Sequence, residues 1–176
     1  PDVECVQTED KILVFDNDIR NLPYILNQAV YNARKVCKDL NMLKTALGEI
    51  LINAIEHGNL GITREEKAQA VAEDRYEDLL KEKMSDPRYA QRKVTLKVHM
   101  SGNELKYTVI DQGDGFDSRS IFESDSHLRM GSGLGLFIAR NFFTSVIYQG
   151  KGNQVVLVYR APAEPRVEDS DARNAR

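Results

Sequence analysis

Residues 47–58, Leu47-Gly48-Glu49-Ile50-Leu51-Ile52-Asn53-Ala54-Ile55-Glu56-His57-Gly58, constrain the fold more than any other stretch of the chain. Leu47, Ile50, Leu51, Ala54 and Ile55 recur at three and four, which predicts a helix with one face on a core. Glu49, Asn53 and His57 interrupt that pattern at intervals of four. Residues four apart stand above one another on a helix, so these three form one polar stripe. A carboxylate and a carboxamide beside an apolar face cost free energy when buried without a partner. The stripe is therefore either solvated or completed by a ligand. Gly58 reads as the C-terminal cap of a helix running from about 43 to 57.

A chain of 176 residues suits a single domain with a sizeable core. The net charge of −3 argues against a general nucleic-acid surface. The longest apolar runs fall far short of a membrane span and no signal peptide is visible, so neither nucleic acid nor membrane is an expected partner and a cytoplasmic location is expected. Cys5 and Cys37 are too few and too far apart for a metal or redox motif, and read as reduced thiols with Cys37 in a helix core. The chain starts at Pro1, as a piece of a longer protein would.

Residues 1–10 are polar and read as a flexible N-terminal segment. Lys11–Phe15 predicts a first strand, and Asn21-Leu22-Pro23 a helix start. Leu26, Ala29, Val30, Ala33, Val36, Cys37 and Leu40 predict an amphipathic helix from about 23 to 40. The composition then changes. The insertion 63–93 is dense in charge and opens on Thr63-Arg64-Glu65-Glu66, a capping box. Val71, Tyr76, Leu79, Leu80 and Met84 are its scattered apolar anchors. It reads as one or two exposed helices ending at Asp86-Pro87: a solvated excursion in the preferred reading, a partner-docking arm in the alternative. Val94, Leu96, Val98 and Met100 alternate with polar residues, as do Leu105, Tyr107 and Val109, which predicts an antiparallel pair turning at Ser101-Gly102-Asn103. Residues 117–130 read as a loop, and Ser145–Tyr148 with Val155–Tyr159 as a closing hairpin. Residues 161–176 carry no apolar pattern and read as a disordered tail or linker.

Two glycine-rich stretches remain. Gly131-x-Gly133-x-Gly135 sits where a loop enters a helix, and the free N–H groups of a helix start favour an anion such as phosphate. Taken alone it fits a tight turn equally well. No βαβ unit with a following acidic residue accompanies it, and no Gly-Lys-Ser/Thr is present, so the dinucleotide and Walker patterns both fail. Asp111-x-Gly113-x-Gly115 follows a strand directly. Its carboxylate could accept an exocyclic amine, although an ordinary Asp-Gly turn is the simpler reading in isolation. A calcium loop lacks its acidic spacing and terminal Glu.

Together, Glu49-x-x-x-Asn53 on a helix, Asp111-x-Gly113-x-Gly115 and Gly131-x-Gly133-x-Gly135 resemble, in order and spacing, the three boxes of the GHKL, or Bergerat-fold, ATPases. The resemblance covers residues 11–160. It implies a two-layer α/β sandwich, with a mixed, mainly antiparallel sheet and helices on one face. It also implies ATP and Mg²⁺ as cofactors. Asn53 would ligate the metal, Asp111 would accept the adenine amine, and Gly113 and Gly115 would let the base approach. Gly131, Gly133 and Gly135 would cradle the phosphates beneath a lid at 116–132. Glu49 stands at the position of the general base. His57 is expected to be structural, and Arg129 in the lid is a weaker phosphate candidate.

Within that superfamily, the Glu-x-x-x-Asn-Ala-x-x-His-Gly box resembles the anti-sigma-factor serine/threonine kinases. The implied function is phosphorylation of a STAS-type antagonist in a bacterial signalling switch. The implied partners are that antagonist or a sigma or anti-sigma regulator, with a possible homodimer. The insertion resembles that of ATPase domains joined to receiver or phosphatase modules, a two-component setting. Two alternatives stay open: a histidine-kinase-type catalytic domain acting on a separate acceptor, and a nucleotide-gated binding module without turnover.

Overall fold

The computed structural model describes residues 7–115 and 134–162. The chain runs β1 (Thr8–Phe15), α1 (Leu22–Ala29), α2 (Leu40–Asn53) continued by a π-helical turn (Ala54–Asn59), α3 (Arg64–Ala72) and α4 (Tyr76–Ser85). It then runs β2 (Val94–Ser101), β3 (Glu104–Ile110), α5 (Leu134–Phe142), β4 (Ser145–Gln149) and β5 (Gln154–Arg160).

Strict alternation builds the sheet. The strands lie in the order β1-β2-β3-β5-β4, and every pairing among the described residues is antiparallel, so no parallel pair mixes the sheet. Register places Leu13, Leu96, Val109, Val155 and Tyr148 in one row across it. That row faces the helices, and Leu96, Val109 and Val155 are buried in it. Each fully buried large aliphatic contributes about 2 kcal/mol by leaving water. The next row, Ile12, Lys97, Thr108, Val156 and Ile147, points the other way, and Ile12 and Ile147 are exposed there. This is the two-layer α/β sandwich that the sequence implies.

β1 begins at Thr8, inside the segment read as flexible. β2 is eight residues long and offers partners back to Ser101, so pairing extends to Thr8 opposite Ser101. The helix expected from 23 to 40 is broken. α1 ends at Ala29, and a short 3-10 turn at Ala33–Lys35 carries the chain on. The break falls at Val30-Tyr31-Asn32, three poor helix formers in succession. Ala29, Val30, Ala33, Val36 and Cys37 are nonetheless all buried. The spacing reported the buried face correctly and the continuity wrongly; Cys37 is a core thiol outside any helix.

α2 buries Leu43, Ala46, Leu47, Ile50 and Leu51, with Ala54 and Ile55 continuing that face. Asp39 caps its start, accepting from the Met42 N–H at 2.9 Å. The helix does not end at Gly58. It widens into the π turn, closed by Leu60 N–H donating to the Ile55 carbonyl at 2.8 Å. The glycine with positive φ at this end is Gly61 (φ 61°). Among the described residues no helix is long and apolar enough to cross a membrane.

The insertion forms both expected helices. Thr63 and Glu66 make the reciprocal capping box, and their hydrogen bond holds the Glu66 carboxyl below its ordinary value. The insertion is mostly exposed, as expected of a surface excursion, but it is anchored. Leu80 joins the core, Tyr76, Leu79 and Met84 pack against it, and Ala70 rather than Val71 is buried on α3.

Candidate functional site

Glu49 and Asn53 stand one turn apart on α2, both half-buried, and neither side chain makes a hydrogen bond among the described residues. α1 packs on this helix at Gly48, where a Cβ would meet Leu26 Cδ1 at 3.4 Å, an ordinary van der Waals contact. The first turn of α5 comes closer still. A methyl on Gly135 would overlap Glu49 Oε2 and sit 2.9 Å from Glu49 Cδ. The last residue of the second glycine box therefore lies on the carboxylate of the first box. Gly131, Gly133, Arg129 and the segment 116–132 lie outside the described residues.

The Asp111 loop meets the other end of the same helical rod. The Asp111 N–H donates to the Asn153 carbonyl, and Asn153 Nδ2 to the Asp111 carbonyl, both at 3.0 Å. Asp111 Oδ1 accepts from the Gly113 N–H at 2.8 Å, while Oδ2 makes no hydrogen bond among the described residues. The carboxylate rests against Gly58, and the backbone at Gly113 rests against the Gly58 carbonyl. Gly115 (φ 79°) packs on the Lys151 carbonyl, where a side chain would not fit. Burial pushes the Asp111 carboxyl above its ordinary value, opposed by the Gly113 N–H and by the Lys151 and Arg92 charges. Glu49, Asn53 and Gly58 thus set out three stations along one rod, roughly 13 Å of helical rise from first to last.

A family model for the histidine kinase-like ATPase domain matches residues 18–159. The chain belongs to this histidine kinase-like ATPase family. No curated protein matches it. The domain therefore has the GHKL fold and an ATP-binding, kinase-type role in general.

His57, the third member of the expected stripe, is displaced by the π turn. It is exposed, and its Nδ1 lies 2.6 Å from the Ile62 carbonyl oxygen, a structural role. The widened turn instead carries Glu56 and Asn59 into the interior, each 0 % exposed. Glu56 Oε2 accepts from Lys67 Nζ of α3 at 2.6 Å, and Oε1 accepts from the Tyr76 hydroxyl of α4. Burial and the Glu56 charge together push the Tyr76 hydroxyl up. Asn59 Oδ1 accepts from the Gln112 N–H at 2.7 Å, and its Nδ2 donates to Asn17 Oδ1 at 2.8 Å. Sequence reading passed over both residues. A carboxylate in a helix is ordinarily exposed, and the partners of Asn59 stand 42 and 53 positions away. The one available signal was Glu56 directly beside Ile55 and four residues after Ile52, at the edge of the apolar face.

Proposed function

We propose that this domain is a protein-serine/threonine kinase of the anti-sigma-factor type, transferring the γ-phosphoryl group of ATP to a hydroxyl on a STAS-type antagonist protein. The observation that carries the reading is Glu49 held against Gly135, one turn from Asn53. A hydroxyl acceptor must lose a proton as it attacks, whereas a neutral imidazole already presents a lone pair. A carboxylate base at this position suits the hydroxyl. Glu49 takes that proton as the new O–P bond forms and the bond to the leaving ADP oxygen breaks. Such a base contributes on the order of 10²–10⁴-fold in rate.

The rest of the site fits the nucleotide. Oδ2 of Asp111 offers an acceptor to the adenine amine, and the glycine contacts around it keep side chains out of the base's path. Asn53 offers an amide oxygen, a hard donor of the kind Mg²⁺ accepts beside phosphate oxygens and water. Mg²⁺, when bound, neutralises phosphate charge. The bare backbone at Gly131, Gly133 and Gly135 suits the phosphates. The added charge on the antagonist, about −1.5 to −2, would then switch its binding to a sigma or anti-sigma regulator. The cytoplasm, where ATP is abundant, is the setting this implies, with a homodimer and covalent receiver or phosphatase modules as further parts of the proposal.

The test is phosphoryl transfer from Mg-ATP to a STAS-type antagonist, with and without Glu49→Ala. The reading expects an acid-stable phosphoserine or phosphothreonine, lost in the variant. An acid-labile product would identify a histidine acceptor, and transfer at the full rate in Glu49→Ala would remove Glu49 from the mechanism.

A further inference from the structure

The insertion 63–93 reaches the Asp111 loop through a set of hydrogen bonds that centres on the buried Asn59. Every polar group of the Asn59 side chain has a partner: Oδ1 receives the Gln112 N–H at 2.7 Å, and Nδ2 is given to Asn17 Oδ1 at 2.8 Å. Its carbonyl receives Arg92 Nη1 at 2.9 Å. Asn17, itself buried, donates its Nδ2 to the carbonyls of Arg92 at 3.1 Å and Tyr89 at 3.4 Å. Lys93 N–H closes the loop on Gln112 Oε1 at 2.6 Å. Gln112 is thus held by its N–H on one side and by its side chain on the other. It sits between Asp111 and Gly113, whose N–H fixes Asp111 Oδ1.

We infer that Asn59 is a positioning residue for base recognition and that Arg92, at the exit of the insertion, supports it, so that the insertion is part of the nucleotide site. This rests on the reading of Asp111 as the acceptor for the adenine amine. A buried amide that satisfies both a loop N–H and a neighbouring amide has no slack: either it holds the loop, or two buried groups are left unpaired. Guanidinium donation to the Asn59 carbonyl stiffens the same residue from the solvent side. Tyr89, whose ring lies under the Arg92 guanidinium at 5.1 Å, keeps that arginine in place.

The experiment compares ATP with ITP, which lacks the exocyclic amine, by calorimetry on the whole domain with Mg²⁺. The readout is the ratio of the two dissociation constants, since loss of general stability weakens both nucleotides alike. Asn59→Ala should lower the wild-type ratio about tenfold and Arg92→Met about fivefold, the scale of one or two hydrogen bonds (about 1–1.4 kcal/mol). Arg92→Lys, which can still donate to the Asn59 carbonyl, should recover most of the loss. Arg92→Met also decides the matter if Asn59→Ala does not fold. A ratio left at the wild-type value in Arg92→Met, with ATP and ITP weakened together, overturns the inference. Asp111→Asn separates this from the parent reading. If it collapses the ratio while Arg92→Met does not, only the inference fails. If wild-type protein does not distinguish ATP from ITP, the role of Asp111 fails and the inference with it.

Discussion

Gly58 and the Asp111 carboxylate occupy adjoining volume: a Cβ placed on Gly58 would lie 2.5 Å from Asp111 Cγ and 2.7 and 2.8 Å from its two oxygens. The glycine at the end of the long helix therefore does not cap it. It makes room for a carboxylate arriving from the sheet 53 positions later (111 − 58). Helix end and strand end are fitted to each other at this contact.

Gly58→Ala should therefore displace the Asp111 side chain and weaken ATP binding by at least about tenfold, the loss of one charge-assisted hydrogen bond. Its effect on folding should be small, because a side chain can rotate away. Gly113→Ala is the contrasting variant. There the methyl meets the Gly58 backbone carbonyl, and the cost should reach about 1–3 kcal/mol, the usual range for overpacking. Thermal unfolding and nucleotide titration of the pair separate the two effects.

Gly135→Ala sets stability against turnover. Alanine gains up to about 1 kcal/mol over glycine in a helix interior, and less in the first turn, where Gly135 stands. The methyl also overlaps the Glu49 carboxylate, which must move. We expect an unfolding temperature within a few degrees of wild type and a phosphoryl-transfer rate lower on the order of 10²-fold, the lower range for a mispositioned base. A full rate in this variant would show that the position of Glu49 does not matter.

Glu56 ties the insertion to the core. Its carboxylate is fully buried while Lys67 is 36 % exposed, so the ion pair is worth less than a wholly buried one. Lys67→Met should cost about 2 kcal/mol and Tyr76→Phe about 1 kcal/mol, because each leaves a buried oxygen short of a donor. In a chain of this size that corresponds to roughly 2–4 °C per kcal/mol. The double variant should cost less or more than the sum, since both donors serve one carboxylate. Wild-type unfolding temperatures in both single variants would mean that the insertion is only loosely attached.

Asp111 predicts a pH dependence of defined sign. Burial holds its folded pKa above the unfolded value, so the folded domain keeps the proton longer than the unfolded chain does. The cost of ionising it is absent below the ordinary carboxylate value of about 4 and grows as pH rises through the folded value. Asp111→Asn, whose Oδ1 can still accept from Gly113, should thus raise the unfolding temperature near pH 7 and give no gain near pH 3. Nucleotide-free protein should be used, since bound ATP would itself stabilise the wild type. A gain that is equal at both pH values would mean that the carboxylate is as well solvated as an exposed one.

Much of the fold was legible because burial imposes local periods. Alternation from Val94 to Met100 and from Leu105 to Val109 fixes which side of β2 and β3 meets the helices. The spacing of Leu47, Ile50 and Leu51 fixes the face of α2, and Thr63 with Glu66 announces α3. The break at Val30 was not legible, because a 3-10 turn buries residues at nearly the same spacing as an α-helix. Nor was the π turn, because nothing in Ala54–Asn59 shows locally that one carbonyl will skip to a fifth neighbour.

By itself, the sequence determined the helical and strand faces, the three boxes and their order, since each depends on neighbours a few residues apart. The tertiary structure alone decided how those boxes meet. It set Gly58 against Asp111 and Gly135 against Glu49, turned His57 out, and drew Glu56 and Asn59 inside. It also made the charged insertion a support of the Asp111 loop through Arg92 and Lys93. Most of those contacts join residues tens of positions apart, and their energies come from hydrogen bonds and close approach between distant segments, for which a one-dimensional pattern carries no period.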